Sequence, residues 1–219
     1  MNKRYDCLLF DMDGTVADTS EGITAGLEYA VRQLNLRNLT GEQERSFLGP
    51  PLKKSFMDVY GMNDEEAAGA VSVFRKYYSA KGLMQCSPYP GLCETIRKLH
   101  AEGTRLFVAT SKPTPFAQKI VEKFGITDCF DAVAGSNLDN SRGRKSDIIR
   151  YVIDSCPGGG ELSWLMVGDT FNDIEGAREC GIDSLGVTYG YGTREELIHA
   201  GATYIIDAPE QISRFGKGV

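Results

Sequence analysis

Two acidic residues stand directly after a short apolar segment near the start of the chain. Cys7–Phe10 is an unbroken apolar run, which predicts a β-strand buried on both faces, and Asp11 and Asp13 follow it. Carboxylates this close resist ionising together unless a cation offsets their charge, and Mg2+ prefers such oxygen ligands. An acidic turn in which Gly14 supplies a positive φ is the alternative, but it does not explain the doubled acid.

A second acidic pair ends another apolar run. Residues 165–167 precede Gly168 and Asp169, and Asp173 lies four positions further on. Asp173 would fall in the first turn of the next helix, where the helix dipole favours an anion. Asp169 has no such structural explanation. Asp11 and Asp169 would therefore supply carboxylates from two separate strand ends, which suits a hard divalent cation.

Hydroxyl and lysine side chains complete the set of candidate residues. Thr110, Ser111 and Lys112 follow a further apolar run. Hydroxyl and backbone N–H groups at a strand end can hold phosphate oxygens, although a turn or helix cap uses the same residue types. Lys145 opens a predicted helix, where its charge opposes the helix dipole unless an anion compensates. That misfit favours a functional lysine; the alternatives are a solvated basic loop and the adjacent Arg144.

The elements that must position these residues form an α/β pattern. After Arg105, short apolar runs alternate with amphipathic segments, which predicts a Rossmann-like parallel sheet with helices on both sides. Ligands bind beyond the carboxyl ends of such strands, so Asp11, Thr110 and Asp169 should converge on one edge. Strands are predicted at 106–109, 132–134, 165–167, 184–187 and 203–206, and helices near 92–102, 115–124, 145–155, 172–180 and 193–200, the last opened by a Thr193–Glu196 capping box.

The segment between Thr15 and Arg105 is far longer than one crossover helix requires. Its periodicity predicts four helices, near 19–34, 40–48, from 52 onward and 63–81, with Asn63 and Glu66 forming a capping box. We therefore predict a small helical domain at 16–82, inserted into an α/β core of residues 1–15 and 83–219.

Together the motifs resemble those of the haloacid dehalogenase-like (HAD) hydrolases. Asp11-x-Asp13-Gly14-Thr15 looks like the first motif of that family, Thr110 the second and Lys145 the third. Gly168-Asp169-x-x-x-Asp173 looks like the fourth, and the four occur in the family's order. Most members are Mg2+-dependent phosphatases that act through an aspartyl-phosphate, and many carry a mobile helical cap at the position of the insertion.

The resemblance implies a role for each candidate residue. Asp11 would be the nucleophile, Asp13 the general acid and base, and Lys145 the cation that neutralises nucleophile and phosphate. Mg2+ would bind Asp11, Asp169 and the backbone carbonyl of Asp13, while Asp173 would orient Lys145 or metal-bound water. The expected substrate-binding residues are Thr110, Ser111, Lys112, Gly14 and Thr15.

Bulk properties restrict the partners. A net charge of −6 without a clustered basic run argues against nucleic-acid binding. No apolar run reaches membrane-spanning length, and Asp11 interrupts any signal-peptide core. The six cysteines show no metal-like spacing, which favours a cytoplasmic protein with reduced thiols. The expected partner is a small phosphorylated metabolite, and the pattern makes no prediction of oligomeric state.

Two segments point to different phosphatase subgroups. The turn at residues 49–52, Gly-Pro-Pro-Leu, is similar to one in phosphoglycolate phosphatases, whereas residues 186–192, Gly-Val-Thr-Tyr-Gly-Tyr-Gly, look more like a 5′-nucleotidase subgroup. The third motif departs from the Lys-Pro-x-Pro common in phosphoglycolate phosphatases. A sugar-phosphate mutase of the same family is the nearest rival. A dehalogenase is disfavoured because it would leave Asp13 without a task.

A phospho-receiver signalling module is the alternative from another class. It also uses an acidic pocket with Thr and Lys, but it needs neither the insertion nor the second acid of the first motif. We further expect residues 16–18 and 81–87 to act as a hinge and residues 49–52 to contact the leaving group.

Overall fold

Within the residues that the structure describes, eight strands arise largely where the sequence has apolar runs. The structure is a computed structural model, and it describes residues 3–137 and 142–217. In the central strand every side chain is buried, as expected for a strand covered on both faces. The strands are β1 (Cys7–Phe10), β2 (Ala17–Asp18), β3 (Ser87–Pro88), β4 (Arg105–Pro113), β5 (Ala132–Ser136), β6 (Trp164–Gly168), β7 (Asp183–Val187) and β8 (Tyr204–Ile206).

Six of these strands form one parallel sheet, in the order β5-β4-β1-β6-β7-β8. β1 lies at its centre, with Phe10 in register with Val108 of β4 and Val167 of β6. All the carboxyl ends therefore meet at one edge, as predicted for an α/β fold of this class. β2 and β3 form a separate two-stranded sheet.

The amphipathic segments form helices close to their predicted positions. Both predicted capping boxes are confirmed, at Asn63 with Glu66 and at Thr193 with Glu196. The helices are α1 (Ser20–Gln33), α2 (Gly41–Arg45), α3 (Leu52–Tyr60), α4 (Asp64–Ala80), α5 (Leu92–Ala101), α6 (Thr114–Lys123), α7 (Lys145–Ser155), α8 (Phe171–Glu179) and α9 (Arg194–Ala200).

Two elements differ most from their predicted extents. α2 ends at Arg45 rather than near 48, because the Ser46 hydroxyl donates to the Gln43 carbonyl and Gly49 adopts a positive φ of 98°. β4 continues past residue 109 to Pro113, because its pairing with β5 resumes at Pro113 after a register shift. Thr110, Ser111 and Lys112 therefore lie within this irregular strand end.

The chain divides into two compact units. One comprises Met1–Ala17 and Pro88–Val219, and the other comprises Asp18–Ser87. The first contains the six-stranded sheet, whose core includes Leu9, Phe107 and Met166. These divisions fall a few residues beyond the domain boundaries expected from the sequence. In the part of the chain that the structure describes, no helix is long and apolar enough to span a membrane.

The second unit is a helical bundle held by aromatic contacts. Gly26 of α1 lies directly beneath the ring of Phe74 in α4, where a methyl group would crowd the ring. Tyr29 and Tyr77 stack with ring centroids 5.5 Å apart, and Phe47 meets Phe56 edge to face at 5.0 Å. We call this unit the helical unit and the other the α/β unit.

Candidate active site

Lys145 links two buried carboxylates at the carboxyl edge of the sheet. Asp11 follows β1, and its Oδ1 atom lies 2.7 Å from the Lys145 ammonium. The same ammonium lies 2.8 Å from Oδ1 of Asp173 and donates to the Ala109 carbonyl at 3.1 Å. Lys145 is 7% exposed although it opens α7. The two anions compensate the opposed helix dipole that made this lysine conspicuous in the sequence.

Arg144, the competing cation, lies elsewhere. Its guanidinium pairs with Glu179 at 3.0 Å on the surface. Arg142 donates to the Gly135 carbonyl at 2.9 Å. Of the basic run at 142–145, Lys145 is therefore the residue brought to the acidic cluster.

Asp169 and Asp173 are both fully buried beyond the end of β6. Oδ1 of Asp169 accepts a hydrogen bond from the Thr15 hydroxyl at 3.0 Å, and its Oδ2 accepts one from the Tyr191 backbone N–H at 2.7 Å. Oδ2 of Asp173 accepts from the backbone N–H and hydroxyl of Thr170, at 3.1 and 2.9 Å. Both carboxylates are thus held in place by donors.

Three of these carboxylates form a group with metal-ligand spacing. One oxygen from each of Asp11, Asp169 and Asp173 lies within 4.8 Å of the others. The buried Lys145 ammonium contacts two of these acids, Asp11 and Asp173, and its single positive charge leaves the fully ionised group of three carboxylates with excess negative charge. Hard oxygen donors with uncompensated charge fit a divalent cation such as Mg2+. The Asp13 side chain is not part of this group.

Burial and the neighbouring charges together set the acidity of the cluster. The pKa of Asp11 is raised to about 6, first by burial and then by Asp173, while Lys145 and a hydrogen bond from Thr110 oppose the shift. Burial, and then repulsion from Asp173 and Asp11, also raise the pKa of Asp169. Burial alone would lower the pKa of Lys145, but Asp11 and Asp173 outweigh it and raise that pKa.

Lys112 contacts Asp13 through both carboxylate oxygens. Its ammonium donates to Oδ1 at 2.8 Å and to Oδ2 at 2.9 Å. The Lys112 side chain is 5% exposed and that of Asp13 is 17% exposed. The sequence motif suggested Lys112 as a phosphate ligand, whereas the structure places its charge on the second acid of the first motif.

The remaining candidate residues have different surroundings. Thr110 is buried, and its hydroxyl accepts from the Lys112 backbone N–H at 3.2 Å. Ser111 donates to the Gly143 carbonyl at 3.4 Å. Gly14 has a positive φ of 81°, and a side chain there would overlap the Asp169 carboxylate. Thr15 is fully buried and bonds Asp169, so its hydroxyl is not presented to a substrate here.

Residues 186–192 stood out in the sequence as a subgroup signature, but sequence reasoning missed that residues 188–192 contact Asp169. This segment follows β7 and packs against the Asp169 side of the cluster, where Gly190 and Gly192 approach closely. Tyr189 donates its hydroxyl to the Thr15 carbonyl at 3.3 Å, and its ring lies 4.8 Å from that of Tyr89. The alternation Gly-Tyr-Gly was the available signal, since small residues mark places of close backbone approach.

Comparison with known proteins identifies relatives along most of the chain. A model of the haloacid dehalogenase-like hydrolase family matches residues 8–187. A 5′-nucleotidase of Pseudomonas aeruginosa is 38% identical over 194 residues, covering 89% of this chain and 87% of that protein. The tyrosine-protein kinase PtkA of Mycobacterium tuberculosis is 33% identical, covering 91% of this chain and 67% of the kinase.

Two further relatives bear on the activity. A phosphoglycolate phosphatase of Vibrio vulnificus is 27% identical, covering 94% of this chain and 93% of that enzyme. The crystal structure of a predicted phosphatase from Clostridium acetobutylicum superposes with a TM-score of 0.90 at 38% identity, covering 97% of this chain and 98% of the other.

Proposed function

Because this chain belongs to the haloacid dehalogenase-like hydrolases and is a phosphatase of that family, we propose that it hydrolyses a nucleoside 5′-monophosphate through a phosphoryl group held covalently on Asp11. The observation that carries the proposal is the 2.7 Å contact between Asp11 and the buried Lys145 ammonium, inside a cluster of three carboxylates. A nucleophilic carboxylate beside a fixed cation is what attack on an anionic phosphate requires.

In the first step, an Asp11 oxygen forms a bond to phosphorus while the bond between phosphorus and the leaving oxygen breaks. Asp13 gives its proton to that oxygen, which departs as the alcohol of a nucleoside. Lys145 offsets the negative charge on the attacking carboxylate and on the phosphoryl oxygens. The Thr110 hydroxyl hydrogen-bonds Asp11 here, and we assign its single O–H to a phosphoryl oxygen once substrate is bound.

In the second step, Asp13 takes a proton from water, and the water oxygen forms a bond to phosphorus. The bond between phosphorus and Asp11 then breaks, which releases phosphate and restores the carboxylate. Lys112 contacts both oxygens of Asp13, so we assign it the orientation of that acid and base rather than direct binding of phosphate.

We assign Mg2+ to the group formed by Asp11 and Asp169, with Asp173 supporting it through Lys145. When bound, the cation would supply positive charge that offsets the carboxylates and the phosphoryl oxygens. The hydrogen bonds from Thr15 and Tyr191 hold Asp169 ready for that role.

The relatives and the second subgroup signature support the substrate class that we propose. The 5′-nucleotidase shares 38% of its aligned residues with this chain and the phosphoglycolate phosphatase 27%. The 186–192 segment favours the same choice, as does the departure of the third motif from the phosphoglycolate phosphatase pattern. We assign leaving-group selection to the helical unit, through residues 49–52, with 2-phosphoglycolate as the second substrate candidate.

The kinase among the relatives gives a competing activity. PtkA is named a tyrosine-protein kinase, and a kinase passes the phosphoryl group of ATP to its acceptor, whereas hydrolysis passes a phosphoryl group to water. Incubation with labelled ATP and a tyrosine-containing peptide, and separately with adenosine 5′-monophosphate, would separate the two. Labelled peptide without phosphate release from the monophosphate would favour a kinase, whereas phosphate release from the monophosphate without labelled peptide would support the phosphatase.

The cytoplasm is the compartment we propose. None of the six cysteines, all of which lie among the described residues, forms a disulfide bond, and burial raises the pKa of the Cys7 thiol to about 12, so it behaves as a small apolar side chain. Reduced thiols accord with a reducing compartment.

The direct test is phosphate release from a panel of substrates with Mg2+ and with excess EDTA. The panel contains adenosine and uridine 5′-monophosphates, 2-phosphoglycolate, glucose 1-phosphate and p-nitrophenyl phosphate. We expect the highest kcat/KM with the nucleotides, loss of activity in EDTA and recovery on adding Mg2+. Asp154→Asn, which removes an exposed aspartate charge on α7, is the control for variants that remove the charge of another aspartate.

Three outcomes would contradict the proposal. Full activity in excess EDTA would contradict the assignment of a cation site. Conversion of glucose 1-phosphate to an isomer without phosphate release would identify a mutase. A single labelling event without turnover would identify a receiver module.

A further inference from the structure

The loop at residues 188–192 is packed against Asp169 so closely that two of its positions accommodate only glycine. A Cβ atom on Gly190 would overlap the Gly14 carbonyl oxygen and the Asp169 side chain. A Cβ atom on Gly192 would overlap the Asp169 carbonyl oxygen. Neither glycine has a positive φ. Glycine is therefore required here because a side chain would not fit, and not because of the backbone conformation. The loop packs closely against the Asp169 residue.

This close approach delivers a hydrogen bond to the carboxylate. Oδ2 of Asp169 accepts from the Tyr191 backbone N–H at 2.7 Å, and Oδ1 accepts from the Thr15 hydroxyl on the opposite side at 3.0 Å. Each carboxylate oxygen has two lone-pair positions, so one donor on each oxygen fixes the side chain yet leaves acceptor capacity on both. The Asp169 carboxylate is therefore oriented by its two donors and can still accept a further ligand on each oxygen.

The two donors are also tied to each other. Tyr189 donates its hydroxyl to the Thr15 carbonyl at 3.3 Å, and its ring packs on Tyr89 with centroids 4.8 Å apart. Gly14, next to Thr15, also lies close to the Asp169 carboxylate. Displacing the loop would therefore disturb both hydrogen bonds to Asp169.

We infer that residues 188–192 and Thr15 form a clamp whose function is to position the Asp169 carboxylate for a divalent cation. The inference rests on the proposed cation site and assigns positioning residues that touch neither substrate nor cation. Partners that orient a metal ligand typically change metal affinity about 10–100-fold when they are removed. Because the donor to Asp169 is the backbone N–H of Tyr191, the Tyr191 side chain is not required for this contact.

The test is the affinity of the full-length protein for Mn2+ alone, measured by electron paramagnetic resonance of the free ion without substrate. We expect Gly190→Ala and Gly192→Ala to weaken Mn2+ binding by about 10–100-fold. Gly160→Ala is the matched control, because a Cβ atom there meets nothing within 4 Å. We expect native affinity in that control and in Tyr191→Ala, which keeps the backbone donor.

A second pair of variants keeps the test decisive if the loop variants do not fold. Thr15→Val removes the other donor and should weaken Mn2+ binding in the same way, whereas Thr15→Ser should restore it to within about threefold. Circular dichroism and the melting temperature in EDTA report folding. A folded Gly190→Ala or Thr15→Val variant with native Mn2+ affinity would overturn the clamp.

Mn2+ binding by the native protein distinguishes failure of the clamp from failure of the cation site. Native Mn2+ binding with unchanged variants overturns the clamp and leaves the proposed phosphatase standing. Absence of Mn2+ binding in the native protein overturns the cation site and the clamp with it. Phosphate release is measured separately and decides the proposed activity on its own.

Discussion

The two ends of the central strand β1 carry aspartates in opposite environments. Asp6, before the strand, accepts from the backbone N–H and hydroxyl of Ser163 at 3.0 and 2.6 Å and from the Lys217 ammonium at 2.6 Å. Those hydrogen bonds, with Lys217 first, lower its pKa below the usual range. Asp11, after the strand, is buried among other acids, and its pKa is raised to about 6.

The opposite pKa shifts of Asp6 and Asp11, five residues apart, indicate that Asp6 stabilises the fold whereas Asp11 serves the chemistry. At the amino edge the folded state favours the charged carboxylate, so ionisation stabilises the fold. At the carboxyl edge the folded state disfavours it, and the cluster retains a charge excess that a cation and a phosphoryl group can use. Of the two aspartates that flank β1, Asp11 is the one whose charged form the folded state disfavours, and this indicates that the function lies at the carboxyl edge.

The largest effect on activity should come from removing the Lys145 ammonium at the carboxyl edge. In Lys145→Met, Asp11 and Asp173 lose their common partner, and the fixed positive charge beside the nucleophile is lost. We expect kcat to fall by about 10²–10³-fold in steady-state assays of phosphate release. Arg144→Met, which removes a surface pair with Glu179, should stay within about twofold. Equal losses in both variants would show that the general charge of the loop matters instead.

Asp6→Asn should destabilise the protein without affecting catalysis. It removes charge-assisted hydrogen bonds, so we expect the free energy of unfolding to fall by about 1–2 kcal/mol at pH 7. The folded pKa of Asp6 is below its unfolded value near 4, so its stabilising contribution is present above that pH and is lost as the pH falls toward the folded pKa.

The difference between the native protein and Asp6→Asn should therefore shrink below about pH 4. Urea unfolding at pH 7 and at pH 3.5 measures it, with Asp154→Asn as the exposed control. A difference that stays constant with pH would mean that the carboxylate charge of Asp6 does not contribute.

Asp11→Asn should have the opposite effect on the metal-free protein. Because the folded pKa of Asp11 lies above the unfolded one, the folded state binds more protons between about pH 4 and 6, and the native protein loses stability as the pH rises through that window. Removing the charge should raise the free energy of unfolding by about 1 kcal/mol at pH 7 in EDTA, measured by urea unfolding. Destabilisation would mean that the ion pair with Lys145 outweighs burial.

The smallest effect should come from the helical unit, which holds none of the three clustered carboxylates. Replacement of Pro50 and Leu52 by alanine should change the ratio of kcat/KM between adenosine 5′-monophosphate and 2-phosphoglycolate by about threefold to tenfold. It should change p-nitrophenyl phosphate hydrolysis much less. If every substrate slows by one factor, residues 49–52 affect folding or closure and do not select the substrate.

Much of this organisation was predictable because it follows from strand ends. Parallel strands place their carboxyl ends on one edge, so the apolar runs before Asp11 and Asp169 were sufficient to bring these acids together. Lys145 was conspicuous because its charge opposed a helix dipole, and the structure shows the anions that compensate it. Each of these inferences needed only local pattern and general topology.

The contacts that sequence reasoning missed depend on register and close packing. Lys112 meets Asp13 from a strand end whose pairing shifts between Thr110 and Pro113, and no local pattern predicts the direction of a side chain across such an irregularity. The contact of residues 188–192 with Asp169 joins two strand ends through a backbone N–H, which leaves no side-chain signature except the glycines that permit it.

The central claim is that Asp11 carries the phosphoryl group, and acid-quenched mass spectrometry tests it directly. A phosphatase substrate mixed with the protein and Mg2+ for milliseconds should add one phosphoryl group to the peptide that contains Asp11, and the mass should disappear as turnover ends. Asp11→Asn should show no adduct, while Asp154→Asn should match the native protein. Turnover without a phosphorylated Asp11 peptide at any quench time, or an adduct that persists in Asp11→Asn, would contradict the account.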